Sequence, residues 1–213
     1  MNNLQRIGGI AALFEAAIYI SAFVFFGAFW DFPLEADTTQ KLTFLMNNQV
    51  IFYIVNLSMY IIFGAILAIL VLAVHERLKN RSPTLSQMAS AFGFLWVGLV
   101  IASGMIANVG LGVVINLSTI NPEQAMTIWL MINTIVEGLG GGNEFVGGLW
   151  VLLLSVAALK INEFSKLLNY LGLFVGLVGI LTIYPAEILT EIFGLGQIIW
   201  FSALGITMYT RST

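Results

Sequence analysis

Cysteine is absent from this 213-residue sequence, and histidine occurs once, as His75. Without cysteine the chain has no disulfide, no thiolate metal site and no cysteine nucleophile, and its redox compartment stays undetermined. One histidine supplies neither a bis-histidine haem site nor a two-histidine metal site. An intramembrane enzyme would need an acid, a base and a nucleophile around Glu15 or Glu144, and no motif indicates one. The sequence therefore predicts no catalytic residue and no metal site, and leaves any cofactor unknown.

Charged residues are also scarce. They make up 9% of the chain, against roughly 25% in soluble domains, while 59% of its residues are hydrophobic. The net charge of -3 forms no basic patch, so nucleic acid is not an expected partner. Residues 42–74, 82–122, 167–186 and 192–210 are uncharged, and each stretch exceeds or approaches the ~20 residues of a transmembrane helix. The composition predicts an integral membrane protein surrounded by the lipid bilayer.

With two further apolar segments, these stretches predict an all-α bundle of six transmembrane helices in one integral membrane domain, residues 1–213. The predicted spans are residues 7–29, 49–75, 86–110, 139–160, 166–184 and 187–209. The first apolar segment, Ile7 to Phe29, is too long for a signal-peptide core and is not followed by a small-residue cleavage pattern. We interpret it as a retained first helix.

Basic residues are distributed unevenly over this topology. Six crossings put both termini on one side, and all but one of the eight Lys and Arg residues fall there, leaving only Lys41 opposite. The residues on the terminus side are Arg6, Arg77, Lys79, Arg81, Lys160, Lys166 and Arg211. The positive-inside rule then predicts that both termini are cytoplasmic.

Two outer connections contain helix-start patterns. Residues 37–40 resemble a capping box and predict a short helix over residues 38–46, and Asn121 before Pro122 predicts another over residues 122–137. Ser82 before Pro83 predicts the start of the third helix, which is expected to continue past the bilayer to Asn116. A helix running unbroken from Pro122 to Lys160 would far exceed a ~30 Å hydrocarbon core. Either it bends at residues 138–142, or the bundle projects outward.

The run from Gly138 to Gly148 is the most unusual local sequence. In one interpretation it is a helix-packing face, because Gly140 and Gly147, like Gly141 and Gly148, are seven residues apart. In the other, the helix is broken here, and its freed backbone groups line a polar cavity together with Glu144. The fifth helix carries a second small-residue stripe, at Gly172, Gly176 and Gly179, which fits either packing inside the bundle or a subunit interface.

Polar residues inside apolar spans are costly and commonly mark function. Glu15 is the deepest carboxyl group. The candidate ligand-binding residues lie near the outer boundary of the predicted spans, and they are Asn56, Asn108, Glu137, Asn143, Glu144, Glu191 and Gln197. We expect them to converge on one outward-facing pocket. The alternative is that they form interhelical hydrogen bonds or face water, and a carboxylate-only cation site at Glu137, Glu144 and Glu191 is a further option.

Several segments together resemble a bacterial family of multi-pass membrane proteins of unknown function. The matching elements are Arg6 to Leu13, the pair Asn47 and Asn48, the basic turn that ends the second span, the segment Glu144 to Leu159, and the glycine-rich fifth helix. The resemblance implies a helical membrane bundle in the cytoplasmic membrane of a prokaryote. It implies no activity and no site residues.

Two functions of different kinds fit these observations. In the first, the outer pocket binds or transports a small molecule, a lipid headgroup or an ion. In the second, the protein is an accessory subunit that packs through its glycine faces and outer helices against a larger membrane complex. The first requires that the polar side chains converge, and the second that Gly172, Gly176 and Gly179 face outward in the isolated chain. Additional copies of the chain are the remaining partner to consider.

Overall fold

The computed structural model describes residues 2–141, 144–184 and 186–210, and their regular structure is entirely helical. The α-helices are α1 (Asn2–Val24), α2 (Thr38–Asn47), α3 (Gln49–Asn56), α4 (Phe63–Leu78), α5 (Pro83–Ser118), α6 (Pro122–Val136), α7 (Phe145–Lys160), α8 (Lys166–Leu181) and α9 (Glu187–Thr210). Three π-helical segments interrupt them, at Phe25–Phe29, Leu57–Ile62 and Glu137–Gly141. The predicted all-α fold is confirmed for the described residues.

Six of these helices form a closed ring. In the order α1, α4, α5, α7, α8 and α9, each helix packs against the next, and α9 closes on α1. The contacts between neighbours run in antiparallel register. Gly9, for example, lies against Gly205 on α9, whereas Gly194 lies against Phe23 near the other end of α1. The chain therefore passes up and down around a common interior.

Aromatic side chains fill this interior. The indole rings of Trp96, Trp150 and Trp200 follow one another, with ring centroids 5.9 Å and 5.6 Å apart. Phe63 and Phe201 pack against the same line of rings. All five side chains are buried. Offset and edge-on packing of this kind adds to the burial of large apolar area, so the aromatic line holds the ring of helices together.

The outside of the ring is apolar as well. Large side chains such as Phe14, Leu177 and Ile206 are more than half exposed. A water-soluble bundle keeps exposed apolar patches small, so a continuous apolar exterior is typical of a protein in contact with lipid. The stretches long and apolar enough to cross a membrane number five among the described residues, and they are Asn3–Phe29, Gln49–Leu78, Pro83–Ser118, Pro122–Lys160 and Glu187–Thr210. α8 is apolar but has only 16 residues.

A second, smaller core lies beyond one end of the ring. α5 has 36 residues, about 54 Å at 1.5 Å per residue, and its last turns pack against α2 and α6 around Leu45, Leu111 and Ala125. The predicted caps of the two short helices are confirmed: Asp37 accepts from the Gln40 N–H at 2.8 Å, and Asn121 accepts from the Gln124 N–H at 3.2 Å. α5 ends two residues beyond the expected Asn116. Ser82 precedes this helix as predicted, but its side chain makes no capping hydrogen bond.

Glycines set the distance between α7 and α8. A Cβ atom at Gly148 would lie 2.7 Å from the Gly176 carbonyl oxygen and from the Ile180 nitrogen. A Cβ atom at Gly179 would be similarly close to the Cα of Gly148, and a Cβ atom at Gly172 would meet the side chains of Ser155 and Trp200. All three α8 glycines are buried within the chain, so of the two alternatives for this stripe, packing inside the bundle is the one observed, and the subunit interface is not. Only glycine permits the two backbones to approach this closely.

Replacing Gly148 by alanine is expected to destabilise the protein by about 1–3 kcal/mol, because the added methyl group must push the two helix backbones apart. Gly98→Ala on α5 is the matched control. A Cβ atom at Gly98 meets no atom within 4 Å, so this substitution is expected to leave stability unchanged or to raise it. Thermal unfolding of both variants in the same detergent checks the prediction. Equal loss of stability in the two would contradict the role given to the glycine crossing.

Candidate functional site

A cavity of about 260 Å³ lies between α1, α4, α5 and α9, at the end of the ring nearer the second core. The lining residues are Ile18, Tyr19, Ala22, Phe23, Phe26, Met59, Tyr60, Phe63, Trp96, Val100, Gly140, Glu144, Thr190 and Gly194. The lining is mostly apolar. Pockets of this type use an apolar wall and a few polar groups that orient the ligand.

All three π-helical segments reach this cavity. Phe26 belongs to the first, Met59 and Tyr60 to the second, and Gly140 to the third. π-helical turns widen a helix locally and occur frequently at functional sites. Here each of the three segments contributes at least one residue to the cavity wall. The π-helical segments of the described chain are therefore concentrated around the cavity.

The third π-helical segment contains a true break of the helix. Gly140 has φ 129° and ψ 21°, a conformation that residues with a Cβ rarely adopt. A regular helix resumes at Phe145, with Glu144 as the residue before it. The sequence left open whether residues 138–142 bend or the bundle projects outward. The helix breaks at Gly140, and the break separates α6, which belongs to the second core, from α7 in the ring; residue 142 lies outside the described residues.

Thr182 secures the far side of the break. Its hydroxyl oxygen accepts a hydrogen bond from the Glu144 N–H at 3.0 Å and donates one to the Gly179 carbonyl at 2.7 Å. The Glu144 carbonyl in turn accepts from the Gly148 N–H at 2.8 Å. A backbone amide freed by the break thus finds a partner inside the protein, as irregular backbone in an apolar environment requires. These hydrogen bonds fix the position of the Glu144 backbone.

The Glu144 carboxyl group is the main polar feature of the cavity. Its Oε2 atom is buried and has no hydrogen-bond partner among the described residues. The carboxyl group lies within electrostatic reach of Glu137 and of the phenols of Tyr19 and Tyr60. A buried polar atom without a partner is costly in the protein alone, so it is a natural point of attachment for a ligand.

Glu15 and Gln197 lie deeper in the ring. Both are 0% exposed, and both polar atoms of each side chain lack a hydrogen-bond partner among the described residues. Glu15 is one helical turn from Tyr19 on the same face of α1, and Tyr19 is within electrostatic reach of Glu15 as well as Glu144. The predicted deep carboxyl is therefore buried in the interior, but it does not line the cavity.

The remaining candidate residues do not converge on one pocket. Asn56 and Asn108 hydrogen-bond to each other at 3.0 Å across α3 and α5, as the alternative interpretation expects. Glu191 is exposed, so its predicted place in the pocket is wrong. Glu137 is exposed too, although it is near Glu144 in electrostatic terms. Asn143 lies outside the described residues. Of the predicted set, Glu144 alone is in the described cavity wall.

Two further expectations are corrected. Gly140 and Gly147 do not share a helix face, and neither do Gly141 and Gly148, because the helix is broken between them. Gly140 borders the cavity with no atom within 4 Å of a Cβ placed on it, whereas Gly147 and Gly148 pack inside the ring. The carboxylate-only cation site is not formed by the described residues, which contain no group of three metal-ligating side chains.

Sequence reasoning missed the aromatic wall and Thr182. No sequence pattern indicated a role for Tyr19, Phe23 or Tyr60, and none indicated a polar partner for the glycine run. A partial signal was present for α1, where Tyr19 follows Glu15 by four residues and therefore shares its face. Nothing in the sequence linked Thr182 to a residue 38 positions earlier.

The conformation of Gly140 gives a direct test of the break. Gly140→Ala is expected to destabilise the protein by about 1–3 kcal/mol, because the backbone there is strained for any residue with a Cβ. Gly138→Ala is the control: a Cβ at Gly138 also meets no atom within 4 Å, but its backbone is not in the positive-φ region. Thermal unfolding distinguishes the two. If both variants are as stable as the parent protein, residue 140 does not break the helix.

Comparison of the chain with protein-family models, with curated proteins and with solved structures found no match. The site is therefore interpreted from its own geometry and chemistry. On that basis it is an apolar, aromatic-lined cavity with one carboxyl group at a broken helix, whose Oε2 atom is buried.

Proposed function

We propose that the protein is a six-span membrane protein that binds a small, largely apolar molecule in the cavity at Glu144. The observation that carries the proposal is the buried Glu144 Oε2 atom, which has no partner among the described residues and borders a cavity lined by aromatic rings. Its polar atom offers one directed interaction, and the surrounding wall offers apolar contact. This combination suits a ligand with an apolar body and one polar group.

The number of crossings follows from the antiparallel ring. α8 is shorter than the ~20 residues expected of a span, but it lies between α7 and α9 and runs antiparallel to both. If its two neighbours cross the bilayer, α8 crosses between them. A span shorter than the hydrocarbon core is accommodated by local thinning of the bilayer at modest cost.

Charge at the two ends of the ring supports cytoplasmic termini. Arg77 and Arg81 pair with Glu163 at the end of the bundle where α4 meets the turn between α7 and α8. Arg6 lies over the aromatic ring of Tyr209 at the same end. Lys41 belongs to α2 at the other end. The positive-inside rule assigns the basic end to the cytoplasm, which places the cavity in the outer half. The resemblance to bacterial multi-pass proteins supports the cytoplasmic membrane of a prokaryote as the location.

Absence of cysteine makes this topology easy to test. Thr84 and Thr119 are exposed at opposite ends of α5, so a single cysteine can be introduced at either position in a cysteine-free background. We expect Thr119→Cys to react with a membrane-impermeant maleimide on intact cells. Thr84→Cys is expected to react only after permeabilisation. The reverse pattern would refute the proposed orientation.

Native mass spectrometry of gently extracted protein tests the binding function. We expect a defined small molecule to remain bound to the parent protein and to be lost in Glu144→Gln, since the substitution removes the ionisable carboxyl group with little change of shape. Glu191→Gln is the matched control, because Glu191 is an exposed carboxylate outside the cavity. It should retain the molecule.

Two results would contradict the proposal. Equal retention in both variants would show that Glu144 does not hold the ligand. A stoichiometric larger protein partner without any retained small molecule would favour the accessory-subunit function instead.

A further inference from the structure

The charges around the cavity restrict the kind of ligand it can hold. None of the described lining residues is basic, and the ionisable groups among them are Glu144, Tyr19 and Tyr60. Glu137 adds a second carboxyl within electrostatic reach of Glu144. An acidic ligand would bring a further acidic group to this carboxyl at a site of low dielectric, where no described lining residue is basic and able to pair with it, which is unfavourable.

Basic side chains lie outside the cavity: Lys41 is on α2 in the second core and does not line it, and the basic cluster at the far end of the ring is engaged elsewhere. Arg77 donates to Glu163 at 2.8 Å, Arg81 lies 3.6 Å from the same carboxylate, and Lys79 pairs with Glu76. All three belong to the basic end of the ring, at the opposite end of α4 from Tyr60. Within the described part of the chain, no ion pair is formed by Glu144. A positive charge for this carboxyl group would therefore come from a ligand.

Aromatic rings form the rest of the wall. Phe23, Phe26, Phe63 and Trp96 line the cavity together with the two tyrosines. Aromatic faces attract cations through their quadrupole, and tryptophan does so best. Cages of this composition recognise quaternary ammonium groups in other proteins. Rings and carboxyl group thus favour the same ligand charge by two separate mechanisms.

The volume of the cavity limits the part of a ligand that it can enclose. Its volume of about 260 Å³ is below the lower end of the roughly 300–1,000 Å³ of most small-molecule pockets. A compound with one ring or a short alkyl chain fits this space better than a two-chain lipid does.

We infer that the ligand of this cavity is a small hydrophobic organic cation, an alkyl or aryl amine or a quaternary ammonium compound, whose charge pairs with Glu144 while its apolar part contacts the aromatic wall. This inference rests on the proposed binding function and specifies its ligand class. It differs from a metal-ion site, because one carboxylate and aromatic rings do not supply the several oxygen ligands that hard cations need.

A pair of isosteric probes tests the inference. Phenyltrimethylammonium and tert-butylbenzene have the same shape and differ by the charge on one atom, and benzenesulfonate provides the opposite charge. Calorimetric titration of the full chain in lipid nanodiscs, with protein-free nanodiscs subtracted, is expected to show the cation binding at least about tenfold more tightly than the neutral probe. Benzenesulfonate is expected not to bind.

Two variants separate charge from shape. Glu144→Gln is expected to weaken binding of the cation by about ten- to hundredfold and to leave tert-butylbenzene binding unchanged, which also shows that the cavity is still folded. Tyr60→Leu is expected to weaken binding of the cation by about three- to thirtyfold, whereas Tyr60→Phe, which keeps the aromatic ring, is expected to retain most of the affinity.

Equal binding of the cation and its neutral isostere, with no effect of Glu144→Gln, would overturn the inference and leave the binding function intact. Preferential binding of benzenesulfonate would also overturn it. If the cation fails to bind protein that still retains a small molecule in native mass spectrometry, the ligand class is wrong. If no probe binds and no molecule is retained, the proposed function fails as well.

Discussion

The close crossing of α7 and α8 is the contact on which the site depends. Because Gly148 has no side chain, its backbone lies directly against Gly176 and Ile180. This brings the last turn of α8 beside the helix break, where the Thr182 hydroxyl can accept from the Glu144 N–H. The first residue before α7 is then fixed against α8, and its carboxyl group is held at the cavity wall. Small residues serve here to position a polar residue as well as to pack two helices.

Irregular backbone inside an apolar protein is tolerated only where its polar groups find partners or line a cavity. The three π-helical segments and the break at Gly140 satisfy this constraint together, because all of them border one space. In a continuous helix from α6 into α7, the direction of the Glu144 side chain would be set by its helical position relative to α6. The break instead allows α6 to belong to the second core while α7 belongs to the ring. The same local distortion thus joins the two parts of the protein and shapes the site.

Much of the fold could be predicted because long apolar stretches and helix caps are local signals. The starts of α2 and α6 followed from Asp37 and Asn121, whose side chains bond within the next turn. The site could be predicted less well, since depth along a span does not give the direction of a side chain. Glu191 was placed in the pocket by depth alone, although it is out of phase with the buried stripe of Phe193, Gln197 and Trp200 on the same helix. The Thr182 contact joins different helices and leaves no local pattern.

Glu15 and Gln197 show that polarity in this protein extends beyond the cavity. Interpolating between the contacts of Gly9 with Gly205 and of Phe23 with Gly194 places Glu15 and Gln197 within about one turn of each other across the α1 and α9 interface. If Glu15 and Gln197 served stability alone, apolar residues at these positions would serve it as well, because neither buried side chain has a hydrogen-bond partner among the described residues. Tyr19 lines the cavity and follows Glu15 by one helical turn on the same face of α1. The polar interior of the ring therefore extends along α1 from the buried Glu15 to the cavity wall.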